Sequence, residues 1–419
     1  MAIYNFLFYF ISIALLLSYF NYRFVGLHPT IAMMSSSLII SLVIIIINHF
    51  GLKSFEHTIQ KNLHGIDFNF LLMKCILSFL LFAGALSIKL DTLKNQKWEI
   101  LSLSIFTTIA TAFLVSGVLY YILKLFSLNL SFIYCMLFGS LISPTDPIAV
   151  LAIVKKLKSP KILEIKLAGE SLLNDGVGIV LFITTFTVAF TSQSYSTSQI
   201  VMLFLREAVG GIVYGAIIGF VACKLIRNLE NRNIIIFITL AITTGAYALA
   251  NQLQLSGPLA MVVAGIFVGN CNFVCKNHED IKLEVRQFWE IIDELLNAIL
   301  FLLIGIEILT VQYNKQVIFV ALISIAIVIL ARWITVAIPM SLFKLKKTYT
   351  PGVIMILTWG GLRGGLAVGL ALAIPAGYAH DLIIQLTFSV VIFSILVQGT
   401  TIKKLVAISQ KKLKKRSSN

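Results

Sequence analysis

The chain has 419 residues, 58% of them hydrophobic and only 12% charged, and its mean hydropathy is +0.95. Soluble domains average about half apolar and a quarter charged, so a soluble globular fold is excluded and a polytopic membrane protein is indicated. The formal net charge of +15 would suggest nucleic acid in a soluble protein, but here the basic residues lie between apolar runs and read as topology signals, with no nucleic-acid partner.

A membrane helix needs about 20 apolar residues. By that measure the fold class is all-α, with about thirteen spans near residues 2–20, 30–50, 69–88, 98–123, 130–154, 168–190, 201–223, 234–250, 257–270, 291–309, 317–340, 352–375 and 382–402. The first run carries neither a basic leader nor a small-residue cleavage site, so it is expected to be a retained helix. The ninth is short enough to be tilted or partly re-entrant. A basic tail, 403–419, follows the last span.

Twenty-five of the 33 Lys and Arg residues fall in one alternating set of connectors and the tail, and four fall in the other set. The positive-inside rule therefore puts the N-terminus outside and the C-terminus in the cytoplasm, in a multi-pass cytoplasmic (inner) membrane protein. Of the remaining four, Lys74 and Arg206 lie near span ends and can snorkel, whereas Arg332 and Arg363 lie deeper. Cys271 and Cys275 are spaced CxxxC without a second pair, which does not suit zinc. The six histidines fall in connectors or at span ends.

The chemistry concentrates in three places. In the fifth span, SPTDPIAV sets Pro144 and Pro147 around Asp146. Each proline removes a backbone donor and disfavours helix in the residue before it, so the helix should unwind near Thr145–Asp146. An opened helix at membrane depth must line a cavity or meet polar groups, and it suits an ion site. In the sixth span, GESLLNDGVGIV carries Glu170, Ser171, Asn174 and Asp175. Their oxygens suit small hard cations. Acids at a helix N-terminus would account for Glu170 but not for Asp175, a turn deeper. In the twelfth span, five glycines surround Arg363 in TWGGLRGGLAVGL. That pattern fits either close helix packing or a second interruption.

Taken together, SPTDPIAV, GESLLNDGVGIV, Arg332, GLRGGLAVGLAL, VQGTTI and LLFAGALSIKLD make the chain resemble the monovalent cation:proton antiporters of the NhaP and sodium/proton exchanger type. The resemblance covers essentially the whole chain. It implies inverted repeats in which unwound helices five and twelve cross. It implies core helices near 69–190 and 291–402, and dimerisation or scaffold helices near 1–50 and 201–270, in a homodimer. Asp175 would be the carboxylate that binds cation and proton, with Asp146, Thr145, Ser171 and Asn174 lining a sodium site. Glu170 would pair with Arg332 as a structural ion bridge, and Arg363 would tune the twelfth-helix crossing. The Asn174–Asp175 pair resembles that of the electroneutral branch. Unlike some relatives, the chain has no acid in its third span before Asp91.

The function expected is secondary antiport of sodium against protons, not an enzymatic reaction, with lithium or potassium as further candidate substrates. Without a GxxxxGK[ST] loop no ATP or other cofactor is implied. A potassium-preferring exchanger would use the same scaffold. An intramembrane aspartyl protease also needs two buried aspartates, but its GxGD signature is missing. A passive channel or an organic-anion symporter could share this topology, but an intramembrane arginine and a single titrating acid favour coupling over open conduction.

Overall fold

The computed structural model describes residues 2–26, 32–33, 35–37, 39–40, 43, 76–90, 96–157, 159–191, 195–271, 278–307, 315–344 and 352–417. Most of the expected second span, the start of the third, Lys74, Cys75, Asp91 and Cys275 lie outside the described residues. The described chain is helical: α1 (Ala2–Phe20), α2 (Leu77–Leu86), α3 (Lys97–Leu125), α4 (Phe132–Ile142), α5 (Ile148–Lys156), α6 (Lys161–Phe190), α7 (Thr197–Ile226), α8 (Arg232–Gln252), α9 (Gly257–Gly269), α10 (His278–Glu307), α11 (Lys315–Lys344), α12 (Val353–Trp359), α13 (Gly365–Leu372) and α14 (Tyr378–Lys411). Seven helices among the described residues are long and apolar enough to cross a membrane, and α2, α4 and α9 are shorter apolar helices.

Several boundaries differ from those expected, each for a local reason. Helix α6 starts at Lys161, directly after Pro160, whose extended ψ of 130° ends the preceding connector. The segment KILEIKL has good helix formers throughout, so its charges do not stop the helix. Glu170 and Asp175 therefore stand well inside α6, and the helix-terminus explanation for Glu170 does not apply. Lys166, counted above with the connector lysines, is inside this helix and 1% exposed. Helix α10 likewise begins at His278, thirteen residues before the expected span at 291.

Two elements are interrupted. The segment expected as the fifth span is divided into α4 and α5 by Ser143–Pro147, and that expected as the twelfth into α12 and α13 by Gly360–Gly364. The rest of the fold holds these breaks together. Gly211, Gly215 and Gly219 let α7 lie directly on α9: a Cβ at Gly215 would stand 2.5 Å from the Ala260 carbonyl oxygen. Trp289 of α10 donates from Nε1 to Thr239 Oγ1 of α8 (3.1 Å) and packs on Phe82 of α2. A cluster that includes Val150, Val154, Leu163, Leu167, Ile356, Leu357, Ile402 and Val406 seats α5, α6, α12 and α14 against one another. At its edge, Gln410 Nε2 donates to the Leu157 carbonyl (2.6 Å) and to Ser159 Oγ (2.8 Å), which ties the tail helix to the connection between α5 and α6.

Candidate functional site

The two breaks meet. The Asp146 amide donates to the Leu362 carbonyl at 2.8 Å, forming a single antiparallel bridge between the two unwound segments. The Thr145 amide points at Asn174 Oδ1 (3.4 Å), while Asn174 Nδ2 donates to Thr145 Oγ1 (2.8 Å). Two donors freed by the prolines thus find acceptors on neighbouring elements, as burial away from water demands. Close approach does the rest. The Pro144 ring occupies the space where a side chain at Gly178 of α6 would stand. A Cβ at Gly364 would lie 2.8 Å from Asp146 Oδ2, so only glycine leaves that carboxylate in place.

Helix α6 presents chemistry on two sides. Ser171 and Asp175, one turn apart, line a cavity of about 330 Å³ together with Asp146, Asp293 and Asn297. Its other walls are mostly apolar and come from α2, α5 and α13, with Lys155 at the exposed end of α5. Asp175 has no hydrogen bond or ion pair to another described residue. On a different side, Glu170 is 2% exposed and accepts a charge-assisted hydrogen bond from Arg332 Nη2 of α11. Arg332 also reaches Thr107 Oγ1 of α3 (3.4 Å) and the Leu357 carbonyl (3.5 Å). A buried guanidinium with a carboxylate and neutral oxygens around it is largely compensated.

The residues singled out in the sequence therefore separate into groups. Asp146, Ser171 and Asp175 share the cavity. Thr145 and Asn174 do not line it, because their side chains are turned to each other behind the break. Glu170 and Arg332 form the ion pair. Arg363 is buried at the second break, its amide donating to Ser394 Oγ (2.8 Å) and its Nη1 to the Gly361 carbonyl (3.3 Å). Asp293 and Asn297 were missed by sequence reasoning. They are four residues apart on α10 and so share a face, but Asp293 lies at the very start of the expected span 291–309 and carries no local motif that singles it out.

Chemically, the cavity offers carboxylates and a hydroxyl, hard oxygen donors suited to a small cation and to a proton. No cluster of metal-holding His, Cys, Asp and Glu occurs among the described residues.

Comparison with known proteins bears on this geometry. The family described as "Sodium/hydrogen exchanger, transmembrane" matches residues 11–408. The chain is 41% identical over 401 residues to the Na(+)/H(+) antiporter NhaP of Pseudomonas aeruginosa, covering 95% of both chains. It is 31% identical to the Na(+)/H(+) antiporter NhaH of Halobacillus dabanensis, covering 80% of this chain and 82% of that one. Among solved structures, the sodium proton antiporter MjNhaP1 from Methanocaldococcus jannaschii at pH 8 superposes with a TM-score of 0.72. That match covers 97% of this chain and 99% of that one at 19% identity, a likeness of fold.

Proposed function

The chain belongs to the sodium/hydrogen exchanger family, and from that premise we propose that it is a secondary antiporter exchanging sodium for protons through Asp175. One observation carries the reading: on a single helix, Glu170 is neutralised by Arg332 while Asp175 opens into a cavity beside Asp146 and Ser171. A proton and a sodium ion then compete for the Asp175 carboxylate. Asp146 and Ser171 supply further oxygens, and Asn174 holds the Thr145 break in the shape that aims Asp146 at the cavity. Glu170–Arg332 is the structural pair, and Arg363 fixes the second break.

The remaining features belong to the same proposal. The two breaks form the crossing of an inverted-repeat fold of about thirteen spans, with the N-terminus outside and the C-terminus in the cytoplasm. The cavity is the cytoplasmic access route, with Asp293 near its entrance. The protein works as a homodimer in the inner membrane, its core rocking against a scaffold that includes α7 and α9. Exchange is one for one and electroneutral, with one titrating carboxylate on α6. Lithium, or potassium, enters the same site to the extent that its size allows.

Reconstitution in proteoliposomes tests this. An imposed sodium gradient should drive opposite proton movement that is unaffected by clamping the membrane potential. Each pH unit below the titration midpoint should weaken apparent sodium affinity about tenfold, because one proton excludes one sodium. Sodium flux without proton movement would reject antiport.

A further inference from the structure

Helix α6 carries a second buried ion pair that the exchange mechanism does not use. Lys166 Nζ is paired with a Glu99 carboxylate oxygen of α3, and the two side chains are 1% and 2% exposed. A lysine ammonium so deeply enclosed in a membrane protein is costly unless its partner is fixed. Lys166 and Glu170 are four residues apart, hence on one face of α6. Asp175 lies nine residues from Lys166, which at 100° per residue is about 180° around the helix and about 14 Å along it. Ser171 is on the same side as Asp175.

The face of α6 opposite the cavity is thus stitched to two other helices by charge. Glu99 of α3 meets Lys166, and Arg332 of α11 meets Glu170. Between α3 and α11 themselves, Arg332 reaches Thr107, and Thr111 Oγ1 lies 2.9 Å from Thr335 Oγ1. An isolated pair at one height leaves a helix free to turn about the contact. Two pairs a turn apart on one face, to different neighbours, define both its azimuth and its height. The azimuth decides how Ser171 and Asp175 are presented to Asp146 across the cavity.

We propose that Glu99 and Lys166 are positioning residues for exchange: their ion pair sets the rotation of α6 and so the geometry of the Asp175 site. This inference rests on the reading of Asp175 given above, and it differs from a merely structural role in what it makes measurable. A structural clamp changes how much protein folds. A positioning clamp changes how well the folded protein takes up sodium.

The test is a set of full-length variants in proteoliposomes: Glu99→Gln, Lys166→Met, the conservative Lys166→Arg, and the charge-exchanged Glu99→Lys/Lys166→Glu. In the singles, apparent KM for sodium should rise about threefold to tenfold, the range of coupling energies carried through packed contacts, with kcat changed less. Lys166→Arg should show a smaller rise, because it keeps the charge and alters only the reach. The charge-exchanged pair should recover most of the parental KM, as a direct interaction requires. Parental KM in the folded singles, with lowered melting temperature alone, would overturn the proposal. Where the singles fail to fold, parental KM in Lys166→Arg or an unrestored KM in the exchanged pair would do so. Failure here is distinguishable from failure of the main reading. In the first case the parent exchanges sodium for protons and Asp175→Asn does not; in the second either the parent does not exchange or Asp175→Asn still does.

Discussion

Glu170 and Asp175 sit five residues apart on α6, yet the first meets a guanidinium and the second meets a cavity. Both are carboxylates inside a membrane protein, where an uncompensated charge near a helix centre costs about 2.5–3.5 kcal/mol on insertion scales. Arg332 offsets that cost for Glu170 permanently. Asp175 forms no ion pair with a described residue, and in the proposed mechanism a proton or a cation arriving from outside compensates its charge. On the proposed reading one helix holds a structural acid and a working acid, and what separates the two is what the neighbouring helices present, not the residue type.

If that comparison is right, the two acids should fail in different ways. The largest loss of stability should follow removal of one half of the ion pair. Arg332→Ala or Glu170→Ala should cost about 3–5 kcal/mol, seen as a lowered melting temperature or folded yield in detergent, because the remaining charge is stranded. Parental stability in both would dissolve the distinction. Gly364→Ala attacks the other side. Its new Cβ would lie 2.8 Å from Asp146 Oδ2 and push that carboxylate away from the cavity. Exchange should fall about tenfold or more while melting changes little, since misplacement of a reacting group acts on rate before it acts on fold.

Smaller effects sharpen the picture. Asp293→Asn should raise apparent sodium KM about threefold at low ionic strength and less at high salt, as expected when a wall charge concentrates cations without binding them tightly. An unchanged KM at low salt would remove Asp293 from the access route. Least affected should be Arg232→Ala at the exposed α8–α10 pair, where Arg232 Nη1 lies 2.5 Å from Glu284 Oε1. Exposed pairs contribute about 0.2–1 kcal/mol, so melting should move only slightly and exchange not at all.

Much of the site was legible because its signals are local. Pro144 and Pro147 announce a break wherever they occur, and Asp146 lies between them in the chain. Asp175 stands out as an acid within an apolar run. What could not be read depends on pairings between distant segments. Nothing in KILEIKL says that Lys166 points inward, because its partner Glu99 is 67 residues earlier in the chain. Nor does the sequence show that Asn174 turns its amide to Thr145 instead of the cavity. The length of α10 was missed because its first half is polar, and Asp293 was passed over because nothing near it in the chain says that it faces Asp175 across a cavity. Periodicity reports which residues share a helix face, not which other helix that face will meet.

In the proposed mechanism a single carboxylate, Asp175, takes up sodium and proton in turn. Asp175→Asn keeps the side-chain size and hydrogen-bonding capacity but removes the titrating group. The direct measurement is sodium-driven proton movement by purified Asp175→Asn protein in proteoliposomes, beside the parent at equal folded amount. The variant should melt near the parental temperature, since no ion pair is lost, and should lose coupled exchange completely. Sodium-for-proton exchange by Asp175→Asn at near-parental rate would contradict it.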